Sequence, residues 1–307
     1  MTAPLLRARG LVKRYGEKRV VDELDLECRA GEVLGLLGPN GAGKTTTLRM
    51  LYGFVEPEAG TIEYEGRDFR RHRDELKRII GVCTQDDTLD ADLTVAQNLR
   101  TYASYFRPRP DDLGGRIDEL IERFELGEYR DASPQTLSGG YKKRLLIARS
   151  VVHRPRILFL DEPTTGLDPR ARVDVWELVR AMRAEGLGII LTTHFLVEAV
   201  GVSDELLVID AGRSIARGTT EAVLGSMLGE HVVVVPPHAE AHDTIASYLR
   251  EELALEPSVV LGELHAPIRA EDFATLCKRF PDAPISMRPP NLDDLFLELS
   301  RRKAGAS

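Results

Sequence analysis

Cysteine is scarce in this 307-residue chain: there are three, Cys28, Cys83 and Cys277. Their wide spacing offers no zinc motif, and an odd count argues against a disulfide framework. They are expected to be reduced and buried, as in a cytoplasmic protein. Long hydrophobic runs are also missing. No apolar stretch approaches the roughly 18 residues needed to span a bilayer. Residues 1–10 carry Arg7 and Arg9 but no apolar signal core. A cytoplasmic location is therefore expected, and any membrane role needs a partner. An excess of positive charge is lacking too. The 41 Lys and Arg face 49 Asp and Glu, a formal net charge of -8. Such a surface repels phosphodiester backbones, so a general nucleic-acid binder is disfavoured. Neither an internal repeat nor a low-complexity segment is evident. What remains is 43% hydrophobic and 29% charged, which is ordinary for a globular protein. The length suits one large domain plus a small one, or two domains.

Apolar and polar residues alternate in a strand-like way over residues 5–30, at Leu6, Ala8, Val20, Val21, Leu24 and Leu26. Residues 33–37 are a short apolar run typical of a buried strand. A glycine-rich loop follows, and residues 44–52 read as a helix. Residues 86–135 differ in texture. Helical periodicity shows at Val95, Leu99 and Tyr102, and again at Ile117, Leu120, Ile121 and Phe124, with Pro108 and Pro110 between. This predicts a helical insertion. Further buried strands are expected at 157–160 and 189–192, with helices between them. The core is therefore an α/β domain with substantially parallel strands. Beyond about residue 222 the pattern changes. Strands are expected at 232–235, at 259–261 and from 285. Helices are expected near 241–253, 271–280 and around Leu292, Leu295, Phe296 and Leu299. This order predicts a small α+β domain of ferredoxin-like type.

The segment Gly38-Pro39-Asn40-Gly41-Ala42-Gly43-Lys44-Thr45 fits G-x-x-x-x-G-K-[ST] at every fixed position. Its glycines let backbone N–H groups converge on phosphate oxygens. The helix that starts there adds its positive dipole end. Lys44 can reach the β- and γ-phosphates, and Thr45 can offer its hydroxyl to Mg²⁺. A glycine-rich turn with an accidental lysine is the bland alternative, but strand before and helix after are the context this chemistry requires. Ile157-Leu158-Phe159-Leu160-Asp161-Glu162 is an apolar strand tipped by two carboxylates. Alone, such a pair is usually solvated. Beside a phosphate loop, Asp161 is placed to hold Mg²⁺ and Glu162 to polarise an attacking water as general base.

Four more elements fall in one order. Gln85 lies in Cys83-Thr84-Gln85-Asp86, before the helical insertion. Leu137-Ser138-Gly139-Gly140 opens a helix after it. Leu167-Asp168 follows the acidic strand, and His194 ends the next one. Over about residues 5–220 the chain resembles the ATP-binding cassette family, of which LSGG is the signature. The resemblance implies a P-loop NTPase fold of the ABC ATPase type with a helical insertion, joined to the small C-terminal α+β domain. Residues 1–221 are the expected ATP-binding domain, with its helical subdomain at about 86–135, and 222–307 the accessory domain.

The resemblance also implies roles. Tyr15 takes the position of the adenine-stacking aromatic. The loop Gly38–Thr45 and the adjoining Thr46 hold ATP. Thr45, Gln85 and Asp161 attend Mg²⁺. Glu162, Gln85 and His194 form the catalytic set, with His194 touching the γ-phosphate and orienting water. Ser138, Gly139 and Gly140 bind the γ-phosphate of ATP held by a second copy, and Asp168 lies across the seam. The implied partners are an integral membrane permease and a second copy of this chain, likewise ATP-dependent in closure, with no nucleic acid. The implied place is the inner face of the cell membrane, reached through the permease. Residues 84–90, Thr192-Thr193-His194-Phe195 and Asn291-Leu292-Asp293-Asp294-Leu295-Phe296-Leu297 look like type-2 ABC exporters, the group with nodulation-factor, drug-resistance and polysaccharide or lipid exporters. The alternative is a soluble ABC ATPase acting on ribosomes or DNA. One cassette, no long heptad array and no cysteine cluster count against it. Two departures stand out: Tyr141 follows LSGG where the family often has Gln or Met, and after His194 a commonly acidic stretch retains only Glu198.

Overall fold

The computed structural model describes residues 3–106, 112–193, 196–237 and 241–305. In chain order, the hairpin β1 (Leu6–Tyr15) and β2 (Lys18–Cys28) leads to β3 (Val33–Leu37) and α1 (Lys44–Leu51). Then come β4 (Ala59–Tyr64), β5 (Arg67–Asp68), the short α2 (Arg73–Leu76) and β6 (Ile80–Cys83). Helices α3 (Val95–Ala103), α4 (Leu113–Arg123) and α5 (Gly139–Ser150) follow. Strand and helix then alternate through β7 (Ile157–Asp161), α6 (Pro169–Ala184), β8 (Gly188–Thr192), α7 (Leu196–Val202) and β9 (Glu205–Asp210), with β10 (Arg213–Gly218) after them. The remainder is α8 (Thr220–Leu228), β11 (His231–Val235), α9 (His242–Glu251), β12 (Ser258–Val260), β13 (Glu263–Ile268), α10 (Ala270–Arg279), β14 (Ser286–Arg288) and α11 (Leu292–Gly305). The chain divides into two compact units, Met1–Ile215 and Ala216–Ser307.

The first unit is built on a six-stranded sheet of order β10-β9-β3-β8-β7-β6. Strands β9, β3, β8, β7 and β6 are parallel. Every residue of β3, β7 and β8 is buried, as expected of strands covered on both faces. Side chains alternate between the faces with a period of two. Leu158, Leu160, Ile189 and Leu191 join a core with α3, α4, α5 and α6. Ile157, Phe159 and Ile190 join another with α1 and the β1–β2 hairpin. That hairpin belongs to an antiparallel sheet of order β2-β1-β4-β5. The parallel strands place the loops after β3, β6, β7 and β8 at one sheet edge, where ligands of open α/β sheets bind.

The helical insertion forms as its periodicity demands. Val95, Leu99, Ile117, Leu120 and Phe124 are fully buried. Helix α3 opens on a capping box, in which Thr94 Oγ1 accepts from the Gln97 N–H at 3.2 Å and Gln97 Oε1 from the Thr94 N–H at 2.9 Å. Just beyond α5, His153 stacks on Phe106 with ring centroids 3.7 Å apart and donates from Nε2 to the Ile80 carbonyl at 2.9 Å. Burial pushes its pKa down to about 4, helped by the nearby Arg116 charge, and the Ile80 bond only partly opposes this. The unfolded ring takes a proton near pH 6.5. Its stabilising contribution is therefore fully present above that value and is lost as pH falls towards the folded value. His153→Gln is expected to remove about 2 kcal/mol of the stability difference between pH 7 and pH 5. Denaturant unfolding at the two pH values checks this; an unchanged pH slope counts against it.

In the second unit β11, α9, β12, β13, α10 and β14 follow one another, and the antiparallel sheet has the order β12-β13-β11-β14. This is the split β-α-β arrangement of ferredoxin-like folds. Val233, Val235, Leu264, Ala266 and Ile268 pack against Ile245 and Leu249 of α9 and Leu276 of α10. Strand β13 is absent from the sequence expectation. Its alternation of Leu264, Ala266 and Ile268 is interrupted by His265 and Pro267, so no apolar run marks it. Cys28 and Cys83 are buried as expected, but Cys277 is only half-buried. It follows Leu276 on α10 and is turned about 100° away from the core.

The Asn291–Leu297 stretch has structural work. Asn291 Oδ1 accepts from the Asp294 N–H at 3.0 Å, and Asp294 Oδ2 from the Asn291 N–H at 2.8 Å. The same carboxylate takes a two-pronged Arg288 guanidinium at 2.6 and 2.8 Å. Burial alone raises the Asp294 pKa, yet these donors hold it below the usual carboxylate value. The clamp fastens α11 to β14.

Candidate nucleotide site

The phosphate loop joins β3 to α1. Its lysine is buried, and Nζ donates to the carbonyls of Gly38 at 2.7 Å and Pro39 at 3.3 Å. The loop is anchored from behind: the Gly212 N–H donates to the Ala42 carbonyl at 3.0 Å. Gly43 lies at φ +106°, and a Cβ there would sit 2.5 Å from the Val20 carbonyl oxygen. Only glycine fits both the conformation and the approach. Gly43 is also the residue before α1 and supplies no capping side chain, so the first N–H groups of the helix keep their affinity for an anion.

A cavity of about 480 Å³ brings together Asn40, Gly41, Gly43, Lys44, Thr45, Thr46, Gln85 and Glu162, with Val20 as the apolar wall. Asp161 lies beside it, its Oδ1 accepting from Thr45 Oγ1 at 3.3 Å and from Thr192 Oγ1 at 2.7 Å. Glu162 leaves the strand in a left-handed conformation, φ +52°. Its N–H bonds to Thr192, and Thr165 Oγ1 donates to its Oε2 at 3.3 Å. Hydroxyl, amide and carboxylate oxygens are hard donors that suit Mg²⁺. No cluster of three or more His, Cys, Asp or Glu forms a metal cage among the described residues. A cation here would complete its shell with phosphate and water.

Ser138, Gly139, Gly140 and Asp168 lie elsewhere. Ser138, Gly140, Tyr141 and Asp168 line a separate cavity of about 660 Å³ that shares no lining residue with the first. Ser138 precedes α5 in cap position, but its side chain makes no capping bond. Asp168 caps α6, accepting from the N–H groups of Arg170 and Ala171 at 3.0 Å each. Tyr141 rests on Tyr129, ring centroids 4.6 Å apart, under the Arg144 guanidinium. Tyr15 ends β1, is half exposed, and carries Lys13 Nζ at 5.8 Å from its ring. His194 falls outside the described residues.

Sequence reasoning missed three contributors. Val20 lines the cavity because the β1–β2 hairpin folds over the loop. Glu198 accepts from Thr164 Oγ1 at 2.7 Å and pairs with Arg172 at 3.7 Å, while Arg172 Nε holds the Leu167 carbonyl at 2.9 Å. This braces the segment before Asp168 against α7. Thr192 joins both acids. Val20 belongs to no motif, Glu198 showed only as the one acid kept after His194, and Thr192 lay in the exporter-like Thr192–Phe195 stretch without a role of its own.

The family profile described as "ABC transporter" matches residues 21–165. "Nod factor export ATP-binding protein I" of Ralstonia nicotianae is 41% identical, covering 98% of this chain and 95% of that protein. Its namesake in Paraburkholderia xenovorans is 42% identical, with 95% of each covered. The chain belongs to the ABC transporter ATP-binding family. Among solved structures, "Structure of ATP binding subunit of ABC transporter" aligns with TM-score 0.67 and 28% identity, over 73% of this chain and 93% of that one. The cbiO1 subunit of the Clostridium perfringens ABC transporter complex cbiONQ aligns with TM-score 0.67 and 27% identity, over 82% and 98%. This ABC ATPase is thus the ATP-binding subunit of a transporter, an ATP hydrolase coupled to transport. Such subunits pair with membrane permease components, and no described helix is long and apolar enough to cross a membrane. Full-length similarity to transport subunits disfavours the ribosome or DNA alternative.

Proposed function

We propose that this ATPase drives export through a separate permease, as a homodimer that closes on two composite ATP sites. The observation that carries export is similarity to Nod factor export proteins over nearly the whole chain, second unit included. The relatives' names point to a Nod-factor type cargo, which the permease would contact. The protein would then sit on the inner face of the cell membrane through that permease. The accessory domain, taken to begin near residue 222, would stabilise the dimer, regulate it or dock on the permease.

In each site Lys44 and the loop N–H groups bind the phosphates, with Tyr15 against the adenine. Thr45, Asp161 and Gln85 would hold Mg²⁺, which would supply positive charge against the β- and γ-phosphates. Glu162 accepts a proton from the attacking water, and His194 orients that water. Ser138, Gly139 and Gly140 come from the partner copy, with Asp168 at the seam. The separation of their cavity from that of Lys44 supports a composite site, as does the uncapped Ser138 at a helix N-terminus. Closure would exclude water and assemble the catalytic groups.

The test is a pull-down of tagged Glu162→Gln protein with ATP and Mg²⁺ from detergent-solubilised membranes, read by mass spectrometry. A stoichiometric multi-spanning permease is expected. Recovery of only ribosomal or DNA-associated partners would overturn the export reading.

A further inference from the structure

We infer that Thr192 is a positioning residue for ATP hydrolysis, its single hydroxyl fixing both acids at the end of β7. The inference rests on the reading of Asp161 as the metal-side carboxylate and Glu162 as the base. Thr192 is the last residue of β8, lies directly opposite Asp161 in the parallel register, and is fully buried. Its Oγ1 stands 2.7 Å from Asp161 Oδ1 and 3.0 Å from the Glu162 nitrogen. The direction of each bond is forced. The Glu162 N–H can only donate, so the hydroxyl accepts from it and sends its own hydrogen to the carboxylate. The Thr192 carbonyl takes the same N–H at 3.2 Å.

Two consequences follow for the site. Asp161 Oδ1 receives hydroxyls from both Thr192 and Thr45, which fixes the rotation of the carboxylate. Oδ2, which has no such partner among the described residues, is left for a cation or its water. Glu162 sits at φ +52°, a conformation that non-glycine residues hold only when their surroundings enforce it. Two acceptors on one residue, converging on the Glu162 N–H, provide that enforcement. Packing does not explain the hydroxyl. The rest of β8 is Gly188, Ile189, Ile190 and Leu191, all buried, and valine would fill the same space without burying a polar group. The hydroxyl is satisfied by the Asp161 carboxylate and the Glu162 backbone N–H.

The experiment compares Thr192→Val, Thr192→Ala and Thr192→Ser with wild type, and with Glu162→Gln as a control. Ser and Ala differ by the hydroxyl alone, so that pair still decides the matter if Val misfolds. Thr192→Val and Thr192→Ala are expected to lower kcat about tenfold and to raise the Mg²⁺ concentration for half-maximal rate by about tenfold, with Thr192→Ser within about twofold of wild type. ATP binding in EDTA is expected to be unchanged. In the nucleotide-free protein, the Glu162 amide is expected to exchange its hydrogen about tenfold faster in the Val and Ala variants than in Ser. Wild-type kinetics and exchange in Val and Ala would overturn the inference, as would Ser behaving like Ala. If Glu162→Gln itself turned over normally, the reading of the two acids would fail instead. If Glu162→Gln is dead while Val and Ala are active, only the role of Thr192 fails.

Discussion

Glu162→Gln should bind ATP normally and hydrolyse it about 10²–10⁴-fold more slowly, the range that a positioned general base contributes. The substitution keeps the side chain's size and its reach from the end of β7. It removes only the proton acceptor. The residue lines the same cavity as Lys44 and Thr45, and its backbone is pinned by Thr192. With hydrolysis blocked, the closed dimer should persist in ATP and Mg²⁺. Size-exclusion chromatography should then show a dimer with ATP and a monomer without it. Single-turnover hydrolysis gives the rate. Near-normal turnover would remove Glu162 as base.

Lys44→Ala should lose ATP binding, with affinity falling by about 10²–10³-fold, as expected when a charge-assisted contact to phosphate is deleted in a buried setting. The lysine ammonium is held by the Gly38 and Pro39 carbonyls. It is thus already at the centre of the loop and need not be drawn in from solvent. The same bonds mean that truncation leaves two loop carbonyls without a cation. A melting temperature measured alongside the titration separates loop disorder from loss of a phosphate contact. Unchanged nucleotide affinity would contradict the assigned role.

The two variants divide the site as its geometry does. In the proposed site Lys44 would act on the phosphates in the ground state, so its loss should be read in binding. Glu162 would act on water during the reaction, so its loss should be read in rate. Thr192 belongs with the second group through its hold on both acids. Its effect should be smaller because it acts only through the two acids.

Much of this was legible in the sequence, for physical reasons. The phosphate loop needs glycines at fixed places because backbone must approach backbone there, as Gly43 does the Val20 carbonyl. Such a requirement leaves a pattern of residue types. Strands β3, β7 and β8 are buried on both faces, so they show as unbroken apolar runs. The helices of the insertion carry one apolar face and show as periodicity. The placing of Gln85, Asp161 and Glu162 after their strands, hence at one sheet edge, followed from parallel strand order. Strand β13 was hidden because His265 and Pro267 break its apolar run, though its inward residues keep their alternation.

By itself, then, the sequence determined the chemistry and the class of fold: a phosphate loop, two acids on a strand end, a signature helix and the shape of the core. These rest on local constraints, namely backbone geometry, burial periodicity and the order of elements along the chain. Only the tertiary structure decided which residues serve those groups from afar. Thr192 meets Asp161 and Glu162 because β7 and β8 pair in parallel register, and Val20 meets Gly43 because a hairpin closes over the loop. Glu198 braces Thr164 across 34 positions of sequence. A threonine ending an apolar strand looks the same in sequence whether its hydroxyl holds a carboxylate or a neighbouring carbonyl. The partner is set by strand register, and register is a property of the folded sheet.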